Sequence, residues 1–102
     1  MKIDRTYLTK LFLEDDFIIS NHARIRMFQR NISTGDIGQV ILYGEIIEEY
    51  TDDEPCPSAL FLGYVSGTPY HAVLALCKDH VRVVTVYHPE NDKWTDYRIR
   101  ND

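Results

Sequence analysis

A histidine and two arginines recur every four residues in the segment 20–33. His22, Arg26 and Arg30 stand at positions i, i+4 and i+8, which lie on one face of an α-helix. We call this set the basic face. An imidazole can exchange a proton near neutral pH, whereas guanidinium groups stay charged and bind phosphate oxygens. The pattern therefore indicates a site for an anionic substrate such as a phosphodiester.

The basic face also has a purely structural explanation. Exposed ion pairs are common and weak, and the acidic residues Glu45, Glu48 and Glu49 follow soon after in the chain. Residue types alone favour this explanation over a functional one. Arg24 belongs to a different side of the same helix and is a weaker candidate for binding substrate.

Two later positions could also take part in chemistry. His71 lies in the apolar run 70–76, where it is either a buried histidine with hydrogen-bond partners or a general acid or base. Thr85 and Tyr87 share one face of another apolar run. Tyr87 could donate a hydrogen bond to phosphate, stack on a base or simply pack. The sequence does not decide between these alternatives for His71 or for Tyr87.

The first half of the chain predicts helices that would carry the basic face. Apolar spacing and capping residues indicate helices over residues 4–13, 20–30 and 33–44. The short apolar run at 17–19 is either a bridge between helices or a brief strand. In the second helix, Ile25, Phe28 and Ile32 are expected to pack against the core. Gly44 is expected to stop the third helix.

The second half predicts strands over residues 45–50, 59–65, 70–76 and 81–87. Ser66-Gly67 is typical of a two-residue hairpin turn, and short connections favour antiparallel neighbours. We therefore expect one α+β domain over residues 1–102, with two to three N-terminal helices on one face of a four-stranded antiparallel meander. Trp94 and Tyr97 are expected to dock back onto the sheet, whose other face would be open or covered by a partner.

Composition limits the classes of function. The 102 residues carry a formal net charge of −5, which counts against broad electrostatic binding of nucleic acid but not against a local basic site. The sequence contains no membrane span and no secretory signal, so we expect a cytoplasmic protein without a membrane partner. Cys56 and Cys77 are expected to stay unpaired. The histidines and cysteines do not have the spacing of metal ligands, and the sequence has no glycine-rich phosphate-binding loop. Neither a metal nor a cofactor is therefore expected.

Several short motifs occur in an order typical of one bacterial family. They include Asn21-His22-Ala23-Arg24, Gly44-Glu45-Ile46-Ile47-Glu48, Pro69-Tyr70-His71, Thr85-Val86-Tyr87 and Trp94. Over residues 17–94 the chain resembles the family called domain of unknown function 4258. The family name implies no activity.

A more distant resemblance implies an enzymatic activity. Helices followed by an antiparallel sheet resemble the layout of the RelE-like and MqsR-like ribonuclease toxins, which implies metal-independent cleavage of RNA and a small antitoxin as protein partner. In this hypothesis His71 transfers protons, and His22 is either the second acid–base group or a hydrogen-bond donor to the phosphate. Arg26 and Arg30 stabilise charge on the phosphate. Tyr87 orients the scissile phosphate.

Thr85 and Arg24 would be additional substrate-binding residues in that hypothesis. Two alternatives use the same residues without RNA cleavage. One is a non-catalytic module that binds a protein, or a second copy of itself, through its basic helix and acidic segment. The other is a binder of a small anionic ligand or an enzyme that acts on an anionic metabolite. The oligomeric state stays open.

Overall fold

The computed structural model describes residues 3–101, in which three helices and seven strands occur. The helices are α1 (Arg5–Leu13), α2 (Asn21–Arg30) and α3 (Thr34–Tyr43), and the strands are β1 (Phe17–Ile19), β2 (Glu45–Tyr50), β3 (Ser58–Val65), β4 (Thr68–Leu76), β5 (Val81–Tyr87), β6 (Trp94–Thr95) and β7 (Ile99–Arg100). One sheet has the strand order β1-β5-β4-β3-β2, and β6 pairs with β7 in a separate hairpin. Within the described residues, no helix is long and apolar enough to cross a membrane.

The predicted α+β class is confirmed, but the sheet has five strands and is mixed. Strands β2 to β5 form the expected antiparallel meander. The additional strand, β1, runs parallel to β5, with Phe17 opposite Val81. The ring of Phe17 also stacks on Phe12 of α1, with the centroids 4.4 Å apart. The prediction of a four-stranded, wholly antiparallel sheet is therefore wrong, because this short apolar run pairs with the free edge of β5.

Local hydrogen bonds fix both ends of α2. The Ser20 hydroxyl accepts from the backbone N–H of Ala23 at 3.0 Å and donates to the carbonyl of Val84 at 2.8 Å, which ties the start of the helix to β5. The helix ends at Arg30, and its C-cap residue Asn31 has a φ of 55°, in the left-handed region. Ser33 then opens α3 with a capping box. These contacts hold the basic face beside β5.

The buried side of α2 differs from the predicted one. Ala23 is fully buried and Ile32, just beyond the helix, is 5% exposed, whereas Ile25 is 57% and Phe28 is 79% exposed. The prediction that Ile25 and Phe28 pack against the core is wrong. The helix instead contacts β5 with the side that carries Ala23 and the partly buried Met27, which are one turn apart. Because this side adjoins the basic face, the latter lies next to the sheet.

The C-terminal hairpin of β6 and β7 covers part of the sheet face that the helices leave free. Alternate residues of β4, such as Ala72 and Leu74, belong to the core beneath the helices, whereas His71 is buried on the opposite face. There the His71 ring makes an edge contact with the buried Trp94, with centroids 4.4 Å apart. The expected docking of this segment is confirmed, and this part of the face is neither open nor left for a partner.

Ion pairs attach the hairpin to the edge strand β2. Arg98 lies 2.6 Å from Glu45, and Arg100 lies 3.1 Å from Glu48. The guanidinium of Arg100 also sits 4.7 Å from the centroid of the Trp94 ring. Two of the three acidic side chains of β2, Glu45 and Glu48, are therefore paired with arginines of the hairpin.

Cys56 and Cys77 form a disulfide, with their Cα atoms 5.2 Å apart. The prediction that they stay unpaired is wrong. Ser58 of β3 lies opposite Ala75 of β4. Because paired antiparallel strands keep their register, the residues just before β3 and just after β4 meet.

Gly44 follows α3 as predicted, but for a different reason. Its φ of −84° is one that any residue can adopt, whereas a Cβ at this position would collide with the carbonyl oxygens of Val40 and Leu62. Gly44→Ala is expected to lower the free energy of unfolding by about 1–3 kcal/mol, as measured by urea denaturation. The matched control is Gly35→Ala, where a Cβ would meet only the Ser33 hydroxyl oxygen at 3.5 Å. Equal stability of the two variants would contradict this explanation.

Candidate active site

A cleft of about 420 Å³ opens beside α2 and the end of β5. The residues that were predicted from sequence and line it are His22, Arg26, Arg30, Thr85 and Tyr87. The residues that were not predicted and also line it are His88, Glu90, Lys93 and Trp94. Side chains from distant parts of the chain thus gather in one place, as a site for an anionic substrate requires.

The arginines of the cleft have no carboxylate partner. Among residues 3–101, neither Arg26 nor Arg30 makes a salt bridge. Glu45 and Glu48 pair with the arginines of the C-terminal hairpin, and Glu49 accepts a hydrogen bond from the backbone N–H of residue 3 at 2.7 Å. The structural explanation of the basic face, as ion pairs with these three acids, is therefore wrong.

The cleft has a positive balance of charge in an acidic protein. Its one carboxylate, Glu90, lies 3.7 Å from Lys93, and both of these side chains are exposed. Arg26 and Arg30 remain as fixed positive charges, whereas the whole chain carries a formal net charge of −5. The favourable electrostatic energy for an anion is thus concentrated at this position.

Two histidines lie in the cleft together with these arginines. His22 is in the first turn of α2 and is exposed. His88 directly follows β5, and its Nδ1–H donates to the carbonyl oxygen of Pro69 at 3.2 Å. Because a neutral imidazole has one protonated nitrogen, this hydrogen bond leaves Nε2 of His88 as a proton acceptor. The cleft therefore combines imidazoles that can exchange protons with guanidiniums that can hold a phosphate.

His71 lies behind the cleft wall and does not line it. Its ring is fully buried, with Nε2 2.7 Å from the carbonyl oxygen of Tyr97 and Nδ1 3.2 Å from the hydroxyl of Tyr87. Burial lowers the pKa of His71 below its usual value, which keeps the ring neutral near pH 7. Of the two alternatives for this residue, the structure shows the buried histidine with both nitrogens bonded. His71 contacts two residues that line the cleft: its Nδ1 is hydrogen-bonded to Tyr87, and its ring packs against Trp94.

Tyr87 is the link between the cleft and the buried histidine. Burial raises the pKa of its phenol, so the hydroxyl keeps its proton at neutral pH. The rings of Tyr87 and His71 meet edge to face, with centroids 5.3 Å apart. Tyr87 therefore has one side in the cleft and one side against the interior.

Arg24 is not part of this cleft. It lies with the exposed Ile25 and Phe28 on the outward side of α2. The helix period separates it from the basic face, as expected from the sequence. The structure thus brings together six of the seven candidate residues when His71 is counted through its contact with Tyr87.

Metal ligands do not gather in the described part of the chain. Residues 3–101 contain no group of three or more histidine, cysteine, aspartate or glutamate side chains that could hold a metal ion. The groups that line the cleft are imidazoles, guanidiniums, an ammonium group, hydroxyl groups, an indole ring and the carboxylate of Glu90.

Comparison with known families assigns the chain to one of them. The family model described as "Domain of unknown function (DUF4258)" matches residues 19–88. The chain belongs to this DUF4258 family. No curated protein and no solved structure matches the chain significantly. The resemblance to this family is thus confirmed.

The DUF4258 segment contains most of the cleft. It runs from the residue before Ser20 to His88 and so includes the basic face, Thr85 and Tyr87. Lys93 and Trp94 lie beyond its end, on the C-terminal segment. The cleft is therefore a family segment completed by the residues that follow it.

His88 and Lys93 line the cleft but were not predicted to do so from the sequence. Alternation along the strand places His88 on the face opposite Tyr87, but β5 ends at Tyr87 and the chain turns at Pro89. The available signal was a His-Pro pair directly after Tyr87, at the end of a strand that also carries Thr85. Lys93 carried no comparable signal, since it reaches the cleft only because the C-terminal hairpin folds back.

Proposed function

We propose that this protein is a metal-independent endoribonuclease that cleaves RNA by attack of a ribose 2′-hydroxyl on the adjacent phosphate. One observation carries the proposal. The imidazoles of His22 and His88 share a single cleft with Arg26 and Arg30, two arginines that no carboxylate neutralises among the described residues. These are the groups that such a reaction needs.

The reaction forms a bond between the 2′-oxygen and phosphorus and breaks the bond between phosphorus and the 5′-oxygen. The 2′-hydroxyl gives up its proton to a base, and the departing 5′-oxygen receives a proton from an acid. The products are a 2′,3′-cyclic phosphate and a 5′-hydroxyl end. No water, metal or other reagent enters this step.

The cleft residues fit these roles. Nε2 of His88 is the proton acceptor because Nδ1 donates to Pro69, and a protonated His22 supplies the proton for the leaving oxygen. Arg26 and Arg30 bind the non-bridging phosphate oxygens, on which negative charge grows in the transition state. Two titratable groups and fixed cations in one cleft thus support the proposal.

The relation to RelE-like and MqsR-like toxins is part of the same proposal. An enzyme of this type would act on cytoplasmic RNA and slow growth when it is expressed without an inhibitor. An inhibitory partner protein would have an apolar contact available on α2, where Ile25 and Phe28 are exposed next to Arg24. Growth arrest on induced expression, relieved by loss of the cleft histidines, is the cellular test.

The direct test uses purified protein, single-stranded RNA and EDTA. Wild-type protein is expected to cleave the RNA and leave 2′,3′-cyclic phosphate ends, detected by mass spectrometry. His22→Asn and His88→Asn are each expected to slow cleavage by about 10²–10⁴-fold, the usual contribution of a general acid or base.

His80→Asn is the matched control, because His80 lies outside the cleft and contacts the neighbouring Asp79 at 2.8 Å. It should cleave RNA as fast as wild type. RNA that stays intact with wild-type protein, or cleavage that survives both cleft variants, would contradict the proposal. Intact RNA that nevertheless binds in the cleft would support the alternative in which the same residues bind an anionic ligand without cleaving it.

A further inference from the structure

The hydrogen bonds around His71 determine which groups Tyr87 can recognise. The carbonyl oxygen of Tyr97 can only accept a hydrogen bond, so Nε2 of His71, 2.7 Å away, must carry the ring proton. In a neutral ring Nδ1 is then unprotonated and can only accept. The hydroxyl of Tyr87, 3.2 Å from Nδ1, is consequently the donor in that bond.

This arrangement commits the only proton of the Tyr87 hydroxyl to the interior. The oxygen keeps its lone pairs, and Tyr87 lines the cleft. A phosphate oxygen, which has no proton to give, gains nothing from such an acceptor. A ligand hydroxyl that donates to it completes the chain of hydrogen bonds from the cleft to the Tyr97 carbonyl.

We infer that the hydroxyl oxygen of Tyr87 accepts a hydrogen bond from a ribose 2′-hydroxyl. His71 determines this direction, because its Nδ1 takes the hydrogen bond that the Tyr87 hydroxyl donates. The inference rests on the proposed function for its ligand, a single-stranded RNA held by the arginines of the cleft. The attacking 2′-hydroxyl gives its proton to the catalytic base. The hydroxyl that donates to Tyr87 therefore belongs to a neighbouring nucleotide.

The assignment revises the role of Tyr87 in the sequence hypothesis. In the hypothesis drawn from the sequence, Tyr87 orients the scissile phosphate, and this role requires an O–H that is free to donate. Here it discriminates ribose from deoxyribose, because the 2′-hydroxyl distinguishes RNA from DNA at a given position. His71 acts through Tyr87 and is a positioning residue.

The experiment measures binding, separately from cleavage. One short labelled oligonucleotide is prepared as RNA, as DNA and with 2′-O-methyl groups, and its Kd is measured by fluorescence anisotropy in EDTA. His88→Asn is the background, since it is expected to block cleavage and leaves Tyr87 in place. RNA is expected to bind about tenfold more tightly than DNA, the effect of one hydrogen bond.

The 2′-O-methyl strand has an RNA-like sugar but no proton to donate, so it should bind like DNA. Tyr87→Phe, added to the same background, is expected to bring the RNA and DNA affinities within about twofold of each other by weakening RNA binding alone. Tyr43→Phe removes a hydroxyl from an exposed tyrosine outside the cleft and should preserve the tenfold ratio. His71→Phe should lower the ratio as Tyr87→Phe does, provided that circular dichroism shows it folded.

The inference would be overturned by equal binding of RNA and DNA by the background protein, by a ratio unchanged by Tyr87→Phe, or by a 2′-O-methyl strand that binds as tightly as RNA. Absence of binding by all three strands would overturn it as well. The proposed function is judged by product formation, so each can fail alone. RNA cleavage without a Tyr87-dependent ratio removes only this inference, and a Tyr87-dependent ratio without cleavage removes only the nuclease.

Discussion

Arg26→Gln is expected to slow RNA cleavage by about 10²–10³-fold, and the double variant Arg26→Gln/Arg30→Gln by more. The reason is that these guanidiniums lie in the cleft without a carboxylate partner among the described residues, so their charge is available to the phosphate. Glutamine keeps much of the side-chain length and helix propensity but removes the charge. The measurement is the single-turnover rate on a fixed RNA substrate.

The matched control for this prediction is Arg24→Gln. Arg24 is on the same helix but on its outward side, with Phe28 and away from the cleft. Arg24→Gln should change the cleavage rate by less than about threefold, since an exposed charge that lies away from the bound phosphate is largely screened. Equal losses for Arg24→Gln and Arg26→Gln would mean that net charge, and not the cleft, governs RNA cleavage.

His71→Ala is expected to lower the free energy of unfolding by about 2–4 kcal/mol. The ring is fully buried, contacts Trp94 and makes both of its hydrogen bonds to other strands or to the C-terminal hairpin. Its removal leaves a cavity and two groups without their partner. Chemical denaturation followed by tryptophan fluorescence measures the loss, because Trp94 is the single tryptophan.

His22→Ala is the control for that stability change. His22 is exposed, and its replacement should alter the free energy of unfolding by less than about 0.5 kcal/mol. Similar stabilities of the His71 and His22 variants would show that the buried bonds of His71 contribute little. Because His71→Ala disturbs folding, loss of activity in this variant alone does not identify a catalytic group.

The His71 contribution should also depend on pH. Burial lowers the pKa of the native side chain below its ordinary 6.5, so the unfolded chain takes up the proton first as the pH falls. The stabilisation is therefore complete above about pH 6.5 and declines as the pH drops from there towards the lowered native pKa. The stability difference between wild type and His71→Ala should be smaller at about pH 5 than at about pH 7.5. A difference that does not change with pH would contradict a neutral buried ring.

The C-terminal hairpin shows why part of the fold could not be predicted from sequence. Its turn places Asp96 at φ 54° and Tyr97 at φ 60°. Aspartate is common in such a turn, but Tyr97 stands where glycine normally signals it. The strands are two residues each and lack a periodic pattern. Their stability comes from contacts with β2 and β4, which no local signal contains.

The chain alone was sufficient for the helices and for the four antiparallel strands, because capping residues, apolar spacing and the Ser66-Gly67 turn act between near neighbours. The same holds for the grouping of His22, Arg26 and Arg30, which the helix period dictates. Only the tertiary structure decided that these residues face a cleft instead of acidic partners, that His88 joins them and that His71 lies behind Tyr87. Those outcomes depend on which sheet edge, helix side and hairpin meet, and contacts between distant segments are set by the packing of the whole domain.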